Sequence, residues 1–251
     1  MNTPLSDGNS NPLARAEKGD TEMQASQDLY HAPHHIPKDF SDRFAMGFTK
    51  LLRFCADTFF AQRYGHRAIV LETVAAVPGM VGGMITHLKC LRRMVDDEGW
   101  IRTLMEEAEN ERMHLMTFIE IAKPSFFERM VILSVQWVFF IGFFLLYLVS
   151  SRTAHRVVGY FEEEAVISYT FYLQELDEGR SPDVAAPDIA KHYWKLPADA
   201  TLRDVIVVVR ADEAHHRDIN HGFSNKLAGL PLDTLRAAPY PPHADDIRMN
   251  A

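Results

Sequence analysis

Two Glu-x-x-His segments limit the folds open to this chain. They pair Glu111 with His114 and Glu213 with His216. Positions i and i+3 share one face of an α-helix, so each pair can bind a metal ion from one side. Either pair alone is a weak signal, because such spacings also arise by chance.

Two further glutamates lie in segments that are otherwise apolar or aromatic. Glu72 interrupts the run LETVAAVPGMVGGM, and Glu162 begins the run EEEAVISYT. An unpaired carboxylate is costly to bury, so each of these needs a partner. The chain order is therefore Glu, Glu-x-x-His, Glu, Glu-x-x-His on four predicted helices. This order is the ligand set of ferritin-like bundles that bind two metal ions.

Each of these residues also has a simpler interpretation. Glu162 alone reads as one of three solvated carboxylates, and His114 or His216 alone as a buried core histidine. All six together favour a site for two iron or manganese ions, with positions left open for oxygen.

Helical spacing dominates residues 43–230, and this interval has no Asn-Gly or Asp-Gly hairpin turn. We expect an all-α domain with breaks at Gly65, Gly99, Pro124, Arg152 and Gly179. The interval 179–200 is expected to be a long loop with at most one short helix. The glycines that follow Pro78 predict that the second helix packs closely on a neighbouring helix. The six long helices are predicted at 43–64, 66–95, 100–122, 126–151, 153–178 and 200–228.

Composition divides the chain into three parts and excludes several classes of protein. We expect a disordered polar tail at 1–39, a di-iron domain at 40–230 and a Pro-rich tail at 231–251. The net charge of -8 and the pI near 5.8 argue against nucleic-acid binding. The two isolated cysteines, Cys55 and Cys90, exclude a disulfide framework and a Cys-based zinc site.

The interval from Met130 to Ser151 has 22 residues without a charge and includes six aromatic side chains. Its length alone makes it a transmembrane candidate. However, two of the four ligand segments precede it and two follow it, so one crossing would separate the ligands by a membrane. We therefore expect this helix to lie in the membrane interface.

The composition of the first predicted helix also favours binding to a membrane surface. Between Arg43 and Arg67 the sequence has five basic residues and one acid, Asp57, interleaved with aromatic and leucine side chains. This pattern fits a helix that lies on anionic lipid headgroups, although a solvated charged face is the alternative.

Four motifs together resemble those of the alternative oxidases, which are membrane-bound di-iron quinol oxidases that reduce oxygen to water without pumping protons. The resemblance runs from about Arg43 to Asn225 and rests on LETVA, NERMHL, EEEAVISYT and RADEAHHRDIN. It implies a ferritin-like four-helix bundle with two flanking membrane-surface helices, held in one leaflet as a homodimer, and two iron ions as cofactor.

The resemblance also implies roles for individual residues. It gives Asn110 and Asp212 the role of orienting ligand histidines. Tyr169, which shares a helical face with Glu162, becomes a redox participant near the metals rather than an ordinary buried tyrosine. The implied iron ligands are Glu72, Glu111, His114, Glu162, Glu213 and His216. The implied quinol pocket contains Arg53, Asp57, Arg67, Leu71, Glu164, Ala165 and Ser168, with Tyr193 and Trp194 near the site.

The expected partners are ubiquinol, O2 and one leaflet of a lipid bilayer, with no nucleic acid. Because residues 1–39 do not resemble a transit peptide, we expect a bacterial inner membrane protein on the cytoplasmic face. Two alternatives stay open. One is a di-iron quinone-ring hydroxylase, which inserts an oxygen atom into its substrate. The other is a non-catalytic ferritin-like metal-binding protein.

Overall fold

The computed structural model describes residues 35–60 and 64–229, and within these ranges side chains are described except at 55–60, 64–67 and 70. The described residues form seven α-helices, with one isolated β-bridge between Ala185 and Thr201. Apart from residues 35–39, the predicted tails lie outside the described residues. The helices are α1 Phe40–Phe60, α2 Tyr64–Arg93, α3 Trp100–Ala122, α4 Phe126–Val149, α5 Ser151–Asp177, α6 Asp188–Trp194 and α7 Leu202–Leu227.

The predicted helices are all present, and the short α6 lies in the predicted loop. The predicted breaks at Gly65 and Arg152 are wrong, because Gly65 lies in the first turn of α2 and the second break falls at Ser150. The Ser150 hydroxyl accepts a hydrogen bond of 3.2 Å from the backbone N–H of Thr153. This serine caps the N-terminus of α5, so Arg152 lies in the first turn of that helix.

The four helices that carry the predicted ligands, α2, α3, α5 and α7, form the bundle, and α2–α3 and α5–α7 are its most extensive helix pairs. Gly79 lets α2 approach α3 closely, since a Cβ there would lie 2.4 Å from the Leu104 carbonyl oxygen. Gly159 does the same for α5 and α7, since a Cβ would lie 2.5 Å from His221 Nδ1. The close packing predicted for the glycines of α2 is confirmed.

The two flanking helices leave apolar faces exposed. α1 packs on α5, and α4 packs on α2 and α5. Two described segments, Leu71–Arg93 and Phe126–Val149, are long and apolar enough to cross a membrane, and the second is only 11% buried. The exposed apolar side chains include Phe40, Phe44, Leu51 and Phe54 on α1 and Phe126, Phe127, Trp137, Val138, Ile141, Leu145, Leu148 and Val149 on α4. The expected all-α bundle with two flanking helices is confirmed, and the exposed apolar faces of these helices fit an association with a membrane surface.

A buried charge cluster anchors the start of α1 to the bundle. The Arg156 guanidinium of α5 donates to Asp42 Oδ1 at 2.8 Å and to Asn225 Oδ1 at 2.6 Å. The backbone N–H of His35 donates to Glu163 Oε1 at 2.7 Å. Residues 35–39, which the sequence prediction placed in the polar tail, therefore lead into the helical domain through contacts with α5.

An apolar cluster lies beside the predicted ligands on α7. Val205, Ile206 and Val209 are fully buried in it, together with Phe118 of α3. Val209 precedes Glu213 by one helical turn. The apolar side chains therefore separate that carboxylate from water.

Candidate metal centre

The structure brings all six predicted ligand residues together inside the bundle. Each is buried, with an exposed fraction of 5% or less. Helical periodicity places each Glu-x-x-His pair on one face, and the bundle turns the four faces toward each other. Glu72 comes from α2, Glu111 and His114 from α3, Glu162 from α5, and Glu213 and His216 from α7.

Their ligand atoms form two overlapping groups, and within each group the atoms lie within 4.8 Å of one another. Glu111 and Glu213 belong to both groups. Because a carboxylate has two oxygens, Glu111 and Glu213 could each contact two metal ions, whereas each of the other four residues belongs to one group only. The first group is Glu72, Glu111, His114 and Glu213, and the second is Glu111, Glu162, Glu213 and His216.

Both imidazoles point Nδ1 into the cluster. His114 Nδ1 lies 3.3 Å from Glu111 Oε2 and 3.3 Å from Glu213 Oε1. His216 Nδ1 lies 2.6 Å from Glu111 Oε1. Atoms that bind one ion at about 2.0–2.2 Å lie about 3 Å from one another in tetrahedral or octahedral geometry, so these separations suit shared coordination.

Several buried atoms of the cluster make no hydrogen bond of acceptable geometry to any described residue. They include both carboxylate oxygens of Glu111 and the Nδ1 atom of His114. Burial, together with the charges of Glu213 and Glu111, raises the pKa values of Glu72 and Glu162 well above their ordinary range. Buried acceptors without a well-aligned donor and crowded carboxylates are what bound cations would compensate, so the residues present fit a metal centre.

Asp212 contacts the outer ring nitrogen of His114. His114 Nε2 lies 3.3 Å from Asp212 Oδ2, which also accepts hydrogen bonds from Asn110 Nδ2 at 3.0 Å and from Trp194 Nε1 at 2.9 Å. Asn110 also donates to the Tyr193 hydroxyl at 3.2 Å. Burial raises the pKa of Asp212, but these donors more than offset it and hold the pKa below its usual value. The ionised carboxylate orients His114 with Nδ1 toward the cluster.

Tyr169 lies beside the cluster on the face predicted from its spacing after Glu162. Its hydroxyl donates a hydrogen bond to Glu72 Oε1, and its ring stacks on Phe118 with centroids 5.9 Å apart. Burial and the Glu72 charge raise the pKa of Tyr169 well above its ordinary value. The phenol therefore stays protonated and available as a donor at neutral pH.

Three adjacent carboxylates of α5 point to three different neighbours. Glu162 joins the ligand cluster, Glu163 accepts from the backbone of His35, and Glu164 forms an ion pair with Arg53 of α1. Successive residues of an α-helix are rotated by about 100°, which produces this divergence. One run of α5 thus contacts the candidate metal centre, the segment before α1 and α1 itself.

The predicted quinol-pocket residues are brought together in part. Arg53 and Glu164 are paired, and each is partly exposed. The side chains predicted at Asp57 and Arg67 lie outside the described residues. The remaining members, partly buried on α2 and α5, are Leu71, Ala165 and Ser168.

Two buried residues beside the cluster, Glu107 and Asn220, were not predicted from the sequence. Asn220 Nδ2 lies 3.0 Å and 2.9 Å from the two carboxylate oxygens of Glu107. Glu107 stands in the charged run EEAENE, where it looks like a solvated acid. Spacing is the signal that identifies both: Glu107 precedes Glu111 by four residues and Asn220 follows His216 by four, so each shares a face with a ligand.

The buried core of this four-helix bundle holds two groups of glutamate and histidine side chains. This arrangement defines a class of protein, the ferritin-like carboxylate bundles that bind pairs of metal ions. A family model described as "Alternative oxidase" matches residues 21–225 of the chain. The chain belongs to the alternative oxidase family, as its motifs predict.

Curated plant proteins are similar to this chain over most of its length. A "Ubiquinol oxidase 1a, mitochondrial" from Arabidopsis thaliana is 63% identical over 192 residues, covering 76% of this chain and 54% of the relative. A "Ubiquinol oxidase, mitochondrial" from Mangifera indica is 57% identical over 208 residues, covering 83% of this chain and 65% of the relative. The chain thus spans less than two thirds of the length of these relatives.

Proposed function

We propose that this protein is a quinol:oxygen oxidoreductase that oxidises ubiquinol and reduces O2 to water without pumping protons. Two quinols and one O2 give two quinones and two waters, so electrons and protons balance. The observation that carries the proposal is that Glu111 and Glu213 belong to both ligand groups in a member of the alternative oxidase family. The ubiquinol oxidase names of the relatives support ubiquinol as the quinol.

The donor set supports two iron ions as the metal. Four carboxylates and two imidazoles suit iron or manganese, and when bound, iron supplies a redox couple between quinol and oxygen. Glu72 and His114 would hold one ion, Glu162 and His216 would hold the other, and Glu111 and Glu213 would contact both.

The surrounding residues orient the ligands and exclude water. Asp212 holds His114 in one orientation, and the Tyr169 hydroxyl steadies one oxygen of Glu72. Phe118 and Val209 keep bulk water away from this side of the centre. Protons therefore reach the centre through polar side chains rather than through open solvent.

Arg53 and Glu164 support a quinol pocket between α1 and α5. Glu164 lies two residues after the proposed ligand Glu162, and its ion pair with Arg53 is partly exposed. A guanidinium can donate a hydrogen bond to a quinol oxygen, and a carboxylate can accept the quinol proton. The exposed aromatic face of α1 suits an isoprenoid tail that remains in lipid.

A homodimer is part of the proposal. The helix α2 exposes an apolar stripe in which Met80, Met84 and Leu88 recur every four residues, followed by Leu91. Such a stripe on one helical face is suited to packing against a second copy. Light scattering of the detergent-solubilised protein tests this, and a monomer mass would contradict it.

The membrane and its face also remain predictions. Membrane association agrees with the exposed apolar faces of α1 and α4, and the names of the plant relatives place those proteins in mitochondria. The proposed location is the cytoplasmic face of a bacterial inner membrane. Protease protection in vesicles of known orientation tests it.

Oxygen uptake tests the proposed function. Membranes that contain the protein are given a short-chain ubiquinol, with cyanide present to block haem oxidases. We expect uptake in the parent protein and none in the Glu213→Ala or Glu111→Ala variants, which lose a carboxylate of both groups. The variants should retain their helical circular dichroism.

The products distinguish the alternatives. An oxidase yields quinone and water, whereas a quinone-ring hydroxylase yields a hydroxylated ring with one oxygen atom from O2. A metal-binding protein without catalysis yields neither. Absence of uptake from metal-loaded, membrane-bound parent protein would contradict the proposal.

A further inference from the structure

A buried polar chain outside the ligand set crosses four helices. The Tyr147 hydroxyl of α4 lies 3.0 Å from His155 Nε2 of α5, and His155 Nδ1 lies 2.9 Å from Asn220 Oδ1 of α7. Asn220 Nδ2 contacts both oxygens of Glu107 of α3 and lies 3.0 Å from the carbonyl oxygen of His216. Side chains of all four helices are buried here.

The hydrogen bonds of this chain have one consistent direction. The Glu107 carboxylate accepts hydrogen bonds, so the amide nitrogen of Asn220 faces it and the amide oxygen faces His155. The imidazole of His155 then donates from Nδ1 and accepts at Nε2 from Tyr147. The amide of Asn220 is thus held at both ends and cannot rotate without losing several bonds.

The pair Glu107 and Asn220 lies on the other side of the ligands from Asp212. Asp212 of α7 contacts His114 of the facing helix α3. Glu107 of α3 lies one turn from the ligands of α3 and is bonded to the asparagine one turn beyond His216 on α7. Each histidine of the candidate centre is therefore linked to a carboxylate of the facing helix: His114 contacts Asp212 directly, and His216 is linked to Glu107 through Asn220.

We propose that Glu107, held by Asn220, is a positioning residue for the candidate metal centre and acts through His216. Asn220 fixes the turn of α7 that carries this histidine, and the Glu107 carboxylate stabilises the positive charge that the imidazole acquires when it binds a cation. This inference rests on the proposed function, because it assumes that His216 is a metal ligand.

The test compares conservative variants in metal titrations. Apoprotein in detergent is titrated anaerobically with Fe(II), and its melting temperature is measured separately. For Glu107→Gln we expect an iron affinity about 10- to 100-fold lower, the range typical of residues that orient metal ligands. The kcat should fall while the KM for quinol stays unchanged, and the apoprotein should melt no lower than the parent.

Two controls separate positioning from general stability. Tyr147→Phe removes one bond at the far end of the same chain and should lower the melting temperature without changing iron affinity. Glu106→Gln changes the neighbouring carboxylate, which forms an exposed ion pair with Arg102, and should change neither quantity.

The outcomes are distinguishable. Parent-like iron affinity in Glu107→Gln, or an equal loss in Tyr147→Phe, would overturn the positioning role. Failure of the parent protein to bind iron would instead contradict the proposed function.

Discussion

At the scale of single residues, Tyr169 contacts the candidate centre through Glu72. Its hydroxyl donates to a carboxylate that has no access to water. A hydrogen bond to a charged group contributes about 1.5–3 kcal/mol, so Tyr169→Phe should lower kcat by about 10- to 100-fold. Quinol oxidation rates measure this, with Tyr172→Phe on the same helix as the control. Equal rates in the parent and Tyr169→Phe would refute the expected role.

We expect the buried His155 to make the stability of the fold sensitive to acid pH. Burial lowers the pKa of His155 to about 4, from about 6.5 in an unfolded chain. The unfolded chain then binds more protons, so the stability contributed by His155 is complete above pH 6.5 and is lost as the pH falls toward 4. Between pH 7 and pH 5 this amounts to about 2 kcal/mol.

Melting temperatures at pH 7 and pH 5 test that assignment. His155→Gln keeps polar atoms for Tyr147 and Asn220 but does not titrate. Its melting temperature should change less between the two pH values than that of the parent. An identical change in both proteins would mean that other groups cause the acid sensitivity.

Sequence spacing identifies residues that share a helix, and this explains which parts of the centre could be predicted. Glu111 and His114 share a face of one helix and could be paired from the sequence alone. Glu111 and Glu213 lie in both ligand groups because of the distances between helices. The spacing of residues along the sequence does not give these distances. Glu107 was hidden by its charged neighbours, because burial on one side of a helix is a tertiary property.

At the scale of helices, the distance between α2 and α3 depends on Gly79. A Cβ at this position would overlap the Leu104 carbonyl oxygen and move Glu72 away from Glu111. Gly79→Ala should destabilise the protein by about 1–3 kcal/mol and reduce its bound iron. Gly142→Ala on α4 is a matched control: no atom lies within 4 Å of its added Cβ, so it should be neutral or about 1 kcal/mol stabilising. Melting temperature and iron content measure both effects.

The exposed apolar face of α4 leads to a prediction about binding to lipid. Val138 is 74% exposed on this face, and its replacement by glutamate places a charge where lipid is expected. Val138→Glu should weaken binding to lipid vesicles by about 10- to 100-fold, since burial of such a side chain contributes about 1.5–3 kcal/mol. Vesicle flotation measures this. Val184→Glu, in the connection between α5 and α6, should float like the parent.

Helix types were easier to predict than helix ends. The apolar run of α4 and the ligand spacing of α3 and α7 are long periodic signals. The start of α5 depends instead on one hydroxyl of Ser150 that caps the helix, and the basic Arg152 two residues later gave a misleading boundary. Local capping chemistry decided that end.

At the scale of the whole molecule, the candidate centre joins both halves of the chain. α2 and α3 precede α4 in the chain, whereas α5 and α7 follow it. Because their ligand residues lie in one cluster, both halves must lie on the same side of a membrane. The observed bundle agrees with the topology expected from the sequence, and we expect α4 to lie along a membrane rather than across it.

Metal removal should loosen the whole bundle. Four buried carboxylates repel one another when no cation lies between them. A bound ion that is present at 100 times its dissociation constant adds about 2.7 kcal/mol to the free energy of unfolding. We expect the chelator-treated parent to melt at a lower temperature and added Fe(II) to restore it. In Glu111→Gln, which loses a shared ligand, chelation should have little effect. A parent protein that melts at the same temperature with and without chelator would contradict this expectation.

The three diverging carboxylates of α5 make this helix intolerant of insertions. One extra residue upstream of Glu162 would rotate each carboxylate by about 100° relative to the turns before it. The contacts to the ligand cluster, to His35 and to Arg53 would then be lost together, although no side chain had been replaced. Length variation among homologues should therefore fall in the connection between α5 and α6 and be absent from α5 itself.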